Sequence, residues 1–200
     1  MNRLIDDLLS LSRVEAEERL RPTQLVDLSA LLRSVALALR PLADQRGVSI
    51  RMEGADGSVE VPGDPDQLSQ VVTNLAENAI RYGGDNIALT FRLTPVTFEP
   101  VLRGAAVRLE VIDNGAGIDP VHIPRVTERF YRVDGHRSRE LGGTGLGLAI
   151  VKHIVNRHRG RLRIDSAPGT GTTVTATLPG CRPPQGQGNR VPSSDRPGMS

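Results

Sequence analysis

One stretch of this chain leaves little conformational freedom. Asp64-Pro65-Asp66-Gln67 opens it, and Gly83-Gly84 closes it. Asp64 is a helix-capping residue, Pro65 suits the first helical position, and Gln67 three residues on completes a capping box. Leu68, Val71, Val72, Leu75, Ala76, Ala79 and Ile80 then follow the i, i+3, i+4, i+7 rule, so the spacing predicts an amphipathic helix lying on a core. Asn74, Asn78 and Arg81 fall at i, i+4 and i+7, on one face beside that stripe. An asparagine oxygen is a hard ligand suited to magnesium, and an arginine one turn on can hold a phosphate that the metal bridges. A plain solvated face accounts for the same pattern.

The rest of the composition bounds the class. Of 200 residues, 38% are apolar and 24% charged, which predicts a soluble globular chain with about one domain's worth of core. Aromatics are 2% with no Trp, so the core must be built from Leu, Val, Ile and Ala. Lys152 is the only lysine; the other 24 basic residues are arginine, whose fork suits phosphate and carboxylate oxygens. A single cysteine, Cys181, excludes an internal disulfide and a multi-cysteine zinc site. The best apolar run, Leu31 to Ala43, is broken by Arg33 and Arg40, and Asp6 and Asp7 stand where a secretory signal would be apolar. These features point to a cytoplasmic chain that makes no membrane contact itself.

A helix is expected within the first twenty residues, where Leu4, Ile5, Leu8, Leu9 and Leu11 recur at helical spacing. Its short seam calls for a partner: either its own domain, or the missing half of a longer coiled element. A second helix is expected from Asp27 or Ser29 to Arg46, with Pro41 inside it, and short strands over Val48–Met52 and Ser58–Val61. Asn86–Thr94 and Ala106–Ile112 alternate like half-buried strands, with Pro95 and Pro100 bounding a loop between them. Pro120–Tyr131 suggests a short helix, Asp134–Gly143 a mobile loop, and Leu146–His158 a further helix. Strands at Arg161–Asp165 and Thr172–Leu178 close the domain, and the Pro- and Gly-rich Gly180–Ser200 reads as disordered. The expected class is α/β: a two-layer sandwich whose mixed, mostly antiparallel sheet is covered on one face by helices.

Two further segments carry chemistry. Val107–Ile112 runs into Asp113-Asn114-Gly115-Ala116-Gly117-Ile118, placing a carboxylate at a strand end before two glycines. Such a carboxylate can accept an amino proton from a base, and the missing side chains let a flat ring approach the backbone. A strand-ending turn gives the same sequence. Leu141-Gly142-Gly143-Thr144-Gly145-Leu146-Gly147 opens a helix, exposing N–H groups and the positive dipole end to phosphate. It is neither a Walker loop nor a dinucleotide fingerprint, and a flexible linker is its bland alternative.

Taken in order, these segments resemble the catalytic ATP-binding domain of sensor histidine kinases, within the ATPase group of DNA gyrase, the ninety-kilodalton heat-shock chaperones and MutL. Asn74 to Tyr82 resembles the N box, Asp113 to Gly117 the G1 box, Glu128-Arg129-Phe130-Tyr131-Arg132 the F box, and Gly143 to Gly147 the G2 box. The run from His122 through Gly160 is most similar to phosphate-regulon-type sensor kinases. The resemblance implies a Bergerat-type ATP-binding fold, with ATP and Mg2+ as its ligands. It implies Asn78 as magnesium ligand, Asn74 and Arg81 as the catalytic phosphate contacts, and Tyr82 flanking the nucleotide. Asp113 would accept the adenine amino group, with Gly115, Gly117 and Ile118 around the ring and Thr172 backing up the carboxylate. Arg129 and Arg132 would reach the nucleotide from the F box, Gly143, Thr144, Gly145, Leu146 and Gly147 would cradle phosphates, and Gly135–Gly142 would be the lid. Hydrolysing relatives carry a glutamate base where Asn74 stands. An amide cannot take a proton from water, so the site should hold ATP for transfer and hydrolyse it poorly.

Three departures matter. Thr127 replaces a usual phenylalanine of the F box, Arg81 replaces the common lysine, and none of His122, His136, His153 and His158 lies in an H-E/D-x-x-x-P setting. The implied organisation is therefore residues 1–21 as the end of the second helix of a dimerisation and phosphoacceptor hairpin, 22–179 as the catalytic domain, and 180–200 as a tail. Implied partners are a histidine phosphoacceptor domain and a response-regulator receiver domain. The intact kinase would be a homodimer tethered to the inner membrane, and this chain alone would not autophosphorylate. The rival readings are a gyrase- or chaperone-type ATPase and an ATP-binding module that regulates a partner without transfer. Aromatic stacking platforms are lacking, which argues against nucleic acid. Charge agrees with a polyphosphate: Arg125 to Arg163 holds nine arginines and Lys152 against Glu128, Asp134 and Glu140.

Overall fold

The computed structural model describes residues 3–16, 21–133 and 143–180. The expected lid at 135–142 and the tail beyond 180 lie outside the described residues. Among the described residues eleven elements follow one another: α1 (Arg3–Ala16), β1 (Leu25–Asp27), α2 (Leu28–Asp44), β2 (Ser49–Glu53), β3 (Glu60–Pro62), α3 (Pro65–Tyr82), β4 (Ala88–Glu99), β5 (Gly104–Asp113), α4 (Gly147–Arg157), β6 (Arg161–Ala167) and β7 (Gly171–Pro179). Among the described residues no helix is long and apolar enough to cross a membrane.

The main sheet has five strands in the order β2-β4-β5-β7-β6. Only the β2–β4 pair is parallel; β4–β5, β5–β7 and β6–β7 are antiparallel. β1 and β3 form a separate antiparallel pair. Period-two alternation explains the two faces. Leu89, Phe91, Leu93, Leu109, Val111, Ala176 and Leu178 point into one core with Leu32, Leu68, Leu75, Ile150 and Ile154 of the helices. The helices neighbour one another in the order α2, α3, α4, α1. The expected two-layer α/β sandwich is therefore observed.

The α3 helix follows its sequence closely, with one correction. Asp64 caps it, its carboxylate accepting from the N–H groups of Asp66 and Gln67, each at 3.1 Å. The reciprocal half of the expected capping box does not form. Gln67 Oε1 is buried without a hydrogen-bond partner, and the Asp64 N–H donates instead to His158 Nε2. At the far end the Gly83 N–H donates to the Ala79 carbonyl, and Gly84 takes φ 108°.

Two other expectations need correction. β4 continues through Pro95 to Glu99 rather than stopping at a loop. Its parallel ladder with β2 ends at the Glu53–Arg92 pair, while its ladder with β5 runs on through Pro95–Val107. A proline there stands where the strand has become an edge, the position in a sheet where a missing N–H is tolerated. Residues 120–131 form a succession of turns instead of a helix. Ile123, Arg125, Glu128 and Tyr131 each donate to the carbonyl three residues back, and only Val126 donates four back, to His122. Pro124 has no N–H to continue an α-helical ladder from Pro120.

The first helix is observed as α1, beside α4. Leu11 joins the core at 3% exposure, whereas Leu4, Ile5, Leu8 and Leu9 remain 42–54% exposed. One residue of the seam is thus covered by the domain, and four are not.

Candidate functional site

A cleft of about 290 Å³ lies between α3, the sheet, the turns of residues 120–131 and the segment leading into α4. Its apolar part comes from Leu75 and Ala79 of α3 and from Val111, Ile164 and Val174 on three adjacent strands.

The sheet supplies a row of side chains. Register places Leu89, Asp113, Thr172 and Ser166 side by side across β4, β5, β7 and β6. Asp113 Oδ1 accepts from the Gly115 N–H at 2.9 Å. Burial pushes the Asp113 carboxyl above its ordinary range, and hydrogen bonds from the Gly115 and Thr172 backbones oppose that rise. The loop after Asp113 is anchored on every side. The Ala116 N–H donates to Gly83 O, the Gly169 N–H to Ala116 O and the Ile118 N–H to Ser166 Oγ, each at 2.8 Å. Asn114 points away from the cleft, its Oδ1 accepting from the Ala88 N–H at 2.7 Å. Gly117 sits at φ 70°, and a Cβ there would run into the Ala167 carbonyl. Gly171 at φ 90° is under the same constraint from the Asp113 carbonyl.

Asn74, Asn78, Arg81 and Tyr82 of α3 line the same cleft, with Gly143, Thr144, Gly145 and Gly147 of the segment leading into α4. Asn74 Nδ2 donates to the Gly147 carbonyl at 3.4 Å, tying α3 to the first turn of α4. The N-cap position of α4, Leu146, has no side-chain cap, and Gly147 and Leu148 of the first turn line the cleft, where a helix N-terminus favours an anion. Arg132 Nη2 donates to the Gly143 carbonyl at 2.6 Å, and the Phe130 N–H to the Gly145 carbonyl at 2.9 Å. Together these bonds hold the segment 143–147 against residues 130–132. Arg81 Nη2 lies 3.5 Å from Glu77 Oε2, one turn back on α3. Thr144 Oγ1 accepts from the Leu146 N–H and donates to Asp7 Oδ2 of α1 at 2.6 Å.

Most of the residues singled out in the sequence therefore line one cleft. Three do not. Gly115 packs against the Gly83 backbone, Leu146 is fully buried in the core, and Arg129 lies outside the lining. Tyr131 was legible only as part of a motif; it lines the cleft, its hydroxyl 2.7 Å from His122 Nδ1 and its ring 4.3 Å beneath the Arg125 guanidinium. Thr127 faces Lys152, whose Nζ lies 3.5 Å from Thr127 Oγ1. Val111, Ile164 and Val174 carried no signal beyond strand alternation. Ser166 carried none at all.

The arrangement suits a ligand that is flat and amino-bearing at one end and anionic at the other. Magnesium fits as an ion held chiefly by such a ligand. Among the described residues no group of three or more His, Cys, Asp and Glu could hold a metal, and magnesium commonly keeps its waters and takes one or two protein oxygens beside substrate phosphates.

Comparison with known proteins agrees with this geometry. The family described as "Histidine kinase-, DNA gyrase B-, and HSP90-like ATPase" matches residues 63–181. The phosphate regulon sensor protein PhoR of Pseudomonas aeruginosa is 41% identical over 175 residues, covering 88% of this chain and 38% of that protein. The sensor-like histidine kinase SenX3 of Mycolicibacterium smegmatis is 39% identical over 176 residues, covering 88% and 44%. The chain thus spans about two fifths of the length of these relatives. Among solved structures, the mycobacterial sensor histidine kinase MprB superposes with a TM-score of 0.63 at 28% identity, over 79% of this chain and 97% of that one. Full-length ShkA in complex with AMPPNP gives 0.72 at 25% identity, over 88% and 35%. The fold is that of sensor histidine kinase ATP-binding domains, and the chain belongs to the histidine kinase-, DNA gyrase B- and HSP90-like ATPase family.

Proposed function

We propose that this chain binds Mg-ATP in the cleft and presents its γ-phosphoryl group to a histidine on a phosphoacceptor helix, as the catalytic part of a two-component sensor kinase. The carrying observation is that one cleft gathers the half-buried Asp113 carboxylate with Asn74, Asn78, Arg81 and the uncapped start of α4. Asp113 and Thr172 hold the base. Gly117, with no side chain, lets the ring lie against the backbone. Asn78 would hold magnesium through its side-chain oxygen, and the ion would supply positive charge against the phosphates. Arg81 and the N–H groups of the 143–147 segment hold the phosphates, and Arg132 keeps that segment in place.

In transfer, the bond from the γ-phosphorus to the bridging oxygen of ADP breaks as a bond to an imidazole nitrogen forms, in line, and ADP leaves. The phosphoryl group then passes to an aspartate of a response-regulator receiver domain. Asn74 stands where a hydrolase needs a base, and an amide accepts no proton from water, so hydrolysis is slow. Two of the chain's own histidines are already engaged within the fold. Both ring nitrogens of His158 are engaged, by Ile154 O and the Asp64 N–H, and it is 1% exposed. His122 Nδ1 is held on Tyr131.

The test supplies radiolabelled ATP and magnesium to the purified chain, with and without a separately purified phosphoacceptor hairpin domain of the PhoR type. Acid-labile label on the hairpin, and none on the chain alone, is the expected result. Steady phosphate release without label on either protein would overturn the reading in favour of an ATPase.

A further inference from the structure

Ser166 does not line the cleft, yet its hydroxyl joins two segments that do, the loop after Asp113 and the start of β7. Ser166 Oγ lies 2.8 Å from the Gly171 carbonyl, 2.8 Å from the Ile118 N–H and 2.9 Å from Thr172 Oγ1. A serine hydroxyl has one proton to give and two lone pairs to fill. The Gly171 carbonyl can only accept, so it takes the proton. The Ile118 N–H can only donate, so it fills one lone pair. Thr172 must then donate to the other. Every valence of the Ser166 hydroxyl is used, and the Thr172 proton is spent on it.

The consequence lies on the other side of Thr172. Thr172 lines the cleft beside Asp113, in the same row of the sheet, and its hydroxyl has only lone pairs left to offer there. The carboxylate of Asp113, when ionised, also only accepts. We infer that Ser166 is a positioning residue for base selectivity: by holding the Thr172 proton out of the cleft, it leaves an all-acceptor edge that takes a 6-amino purine and rejects a 6-oxo purine. This rests on the ATP reading above. A 6-oxo group facing these two side chains meets two acceptors, so the pair offers it no hydrogen bond, which is a basis for discrimination. Removing the Ser166 hydroxyl frees the Thr172 proton to turn into the cleft and serve that oxo group.

The experiment measures the dissociation constants of ATP and ITP, each with magnesium, on the purified chain by competition with a fluorescent ATP analogue. The wild-type chain prefers ATP. Ser166→Ala lowers the ITP-to-ATP ratio of dissociation constants by about tenfold, the worth of one hydrogen bond. In a Thr172→Val background there is no proton to release, so adding Ser166→Ala leaves the ratio unchanged; a merely structural role for Ser166 would not show this dependence. Ser166→Thr, which restores a hydroxyl, returns the ratio toward wild type. Ser166→Cys keeps the volume but accepts weakly, and shifts the ratio the same way as alanine should the alanine variant fail to fold. ATP binding with an unchanged ratio in Ser166→Ala and Ser166→Cys overturns this inference alone. Failure of the wild-type chain to bind either nucleotide overturns the ATP reading and this inference together.

Discussion

His158 Nε2 accepts a hydrogen bond from the Asp64 N–H at 3.0 Å, across 94 residues of chain. The other ring nitrogen lies 2.8 Å from the Ile154 carbonyl and must donate to it, so the imidazole is held neutral in one tautomer. The last turn of the α4 helix is thereby fastened to the first turn of α3, the two helices that flank the cleft. The Arg157 guanidinium, 3.6 Å from the Asp64 carboxylate, reinforces the same junction.

This junction makes stability sensitive to acid. Burial lowers the His158 pKa below its ordinary 6.5, and the Arg157 and Arg21 charges act in the same direction, with Ile154 and Asp64 opposing. The unfolded chain therefore takes up the proton first, so stability is fully present above about pH 6.5 and is lost as pH falls through the lowered value. Thermal unfolding from about pH 7.5 down to about pH 5 should show a steeper loss of Tm in the wild-type chain than in His158→Gln. Parallel curves would refute the assignment.

Asp64 carries the cap, the ion pair and the anchored N–H together. Asp64→Ala should cost about 0.5–2 kcal/mol from the lost cap alone. Denaturant unfolding checks it through a lower midpoint at an unchanged slope.

Replacing Asp113 with Asn exchanges a carboxylate acceptor for an amide. A hydrogen bond to a charged group is worth about 1.5–3 kcal/mol, so ATP affinity should fall on the order of 10- to 100-fold, with little effect on fold. In the wild-type chain the same group sets a pH limit. Its raised pKa means that the ionised, accepting form is lost earlier on acidification than for an ordinary aspartate, and affinity falls with it. A titration of ATP affinity against pH, with Asp113→Asn as the flat control, measures this.

Gly117→Ala confronts both a left-handed backbone and the Ala167 carbonyl. The backbone conformation alone costs about 1–2 kcal/mol. Loss of ATP binding together with a lowered denaturation midpoint is the expected outcome, and normal binding would show that the loop can shift.

The Thr144 hydroxyl is engaged by Asp7 before any ligand arrives. Asp7→Ala removes that competitor and its negative charge, and ATP affinity should rise by about three- to tenfold. An unchanged dissociation constant would mean that phosphate does not use this hydroxyl.

How far the sequence could be read depended on how local each determinant was. The α3 helix was legible from end to end, because Asp64, Pro65, the apolar stripe and Gly83 all act within a turn or two. The one error there, Gln67 as the second half of a capping box, arose because the competing partner His158 is remote in sequence and buried. Pro95 misled because a proline is read as a breaker until the extent of the neighbouring β2 strand is known. Residues 120–131 have helix-like spacing, but Pro124 removes the N–H on which continuation depends. At the site, Asp113, Thr172 and the glycines stood out because motifs expose them. Ser166, Val111, Ile164 and Val174 did not, since only the strand register brings them to one row or one wall. The likeness to phosphate-regulon-type sensor kinases, drawn from residues 122–160, is matched by the similarity to PhoR.

Helix α1 reaches the cleft through the Asp7 carboxylate, which holds the Thr144 hydroxyl. If a polyphosphate and Asp7 compete for one hydroxyl, their free energies are coupled, and such coupling is reciprocal. Filling the cleft must loosen α1 by the same factor by which a docked α1 weakens filling. A torque applied to that helix from outside the domain would then be read as a change in nucleotide occupancy, and occupancy would be read back as freedom of the helix to turn.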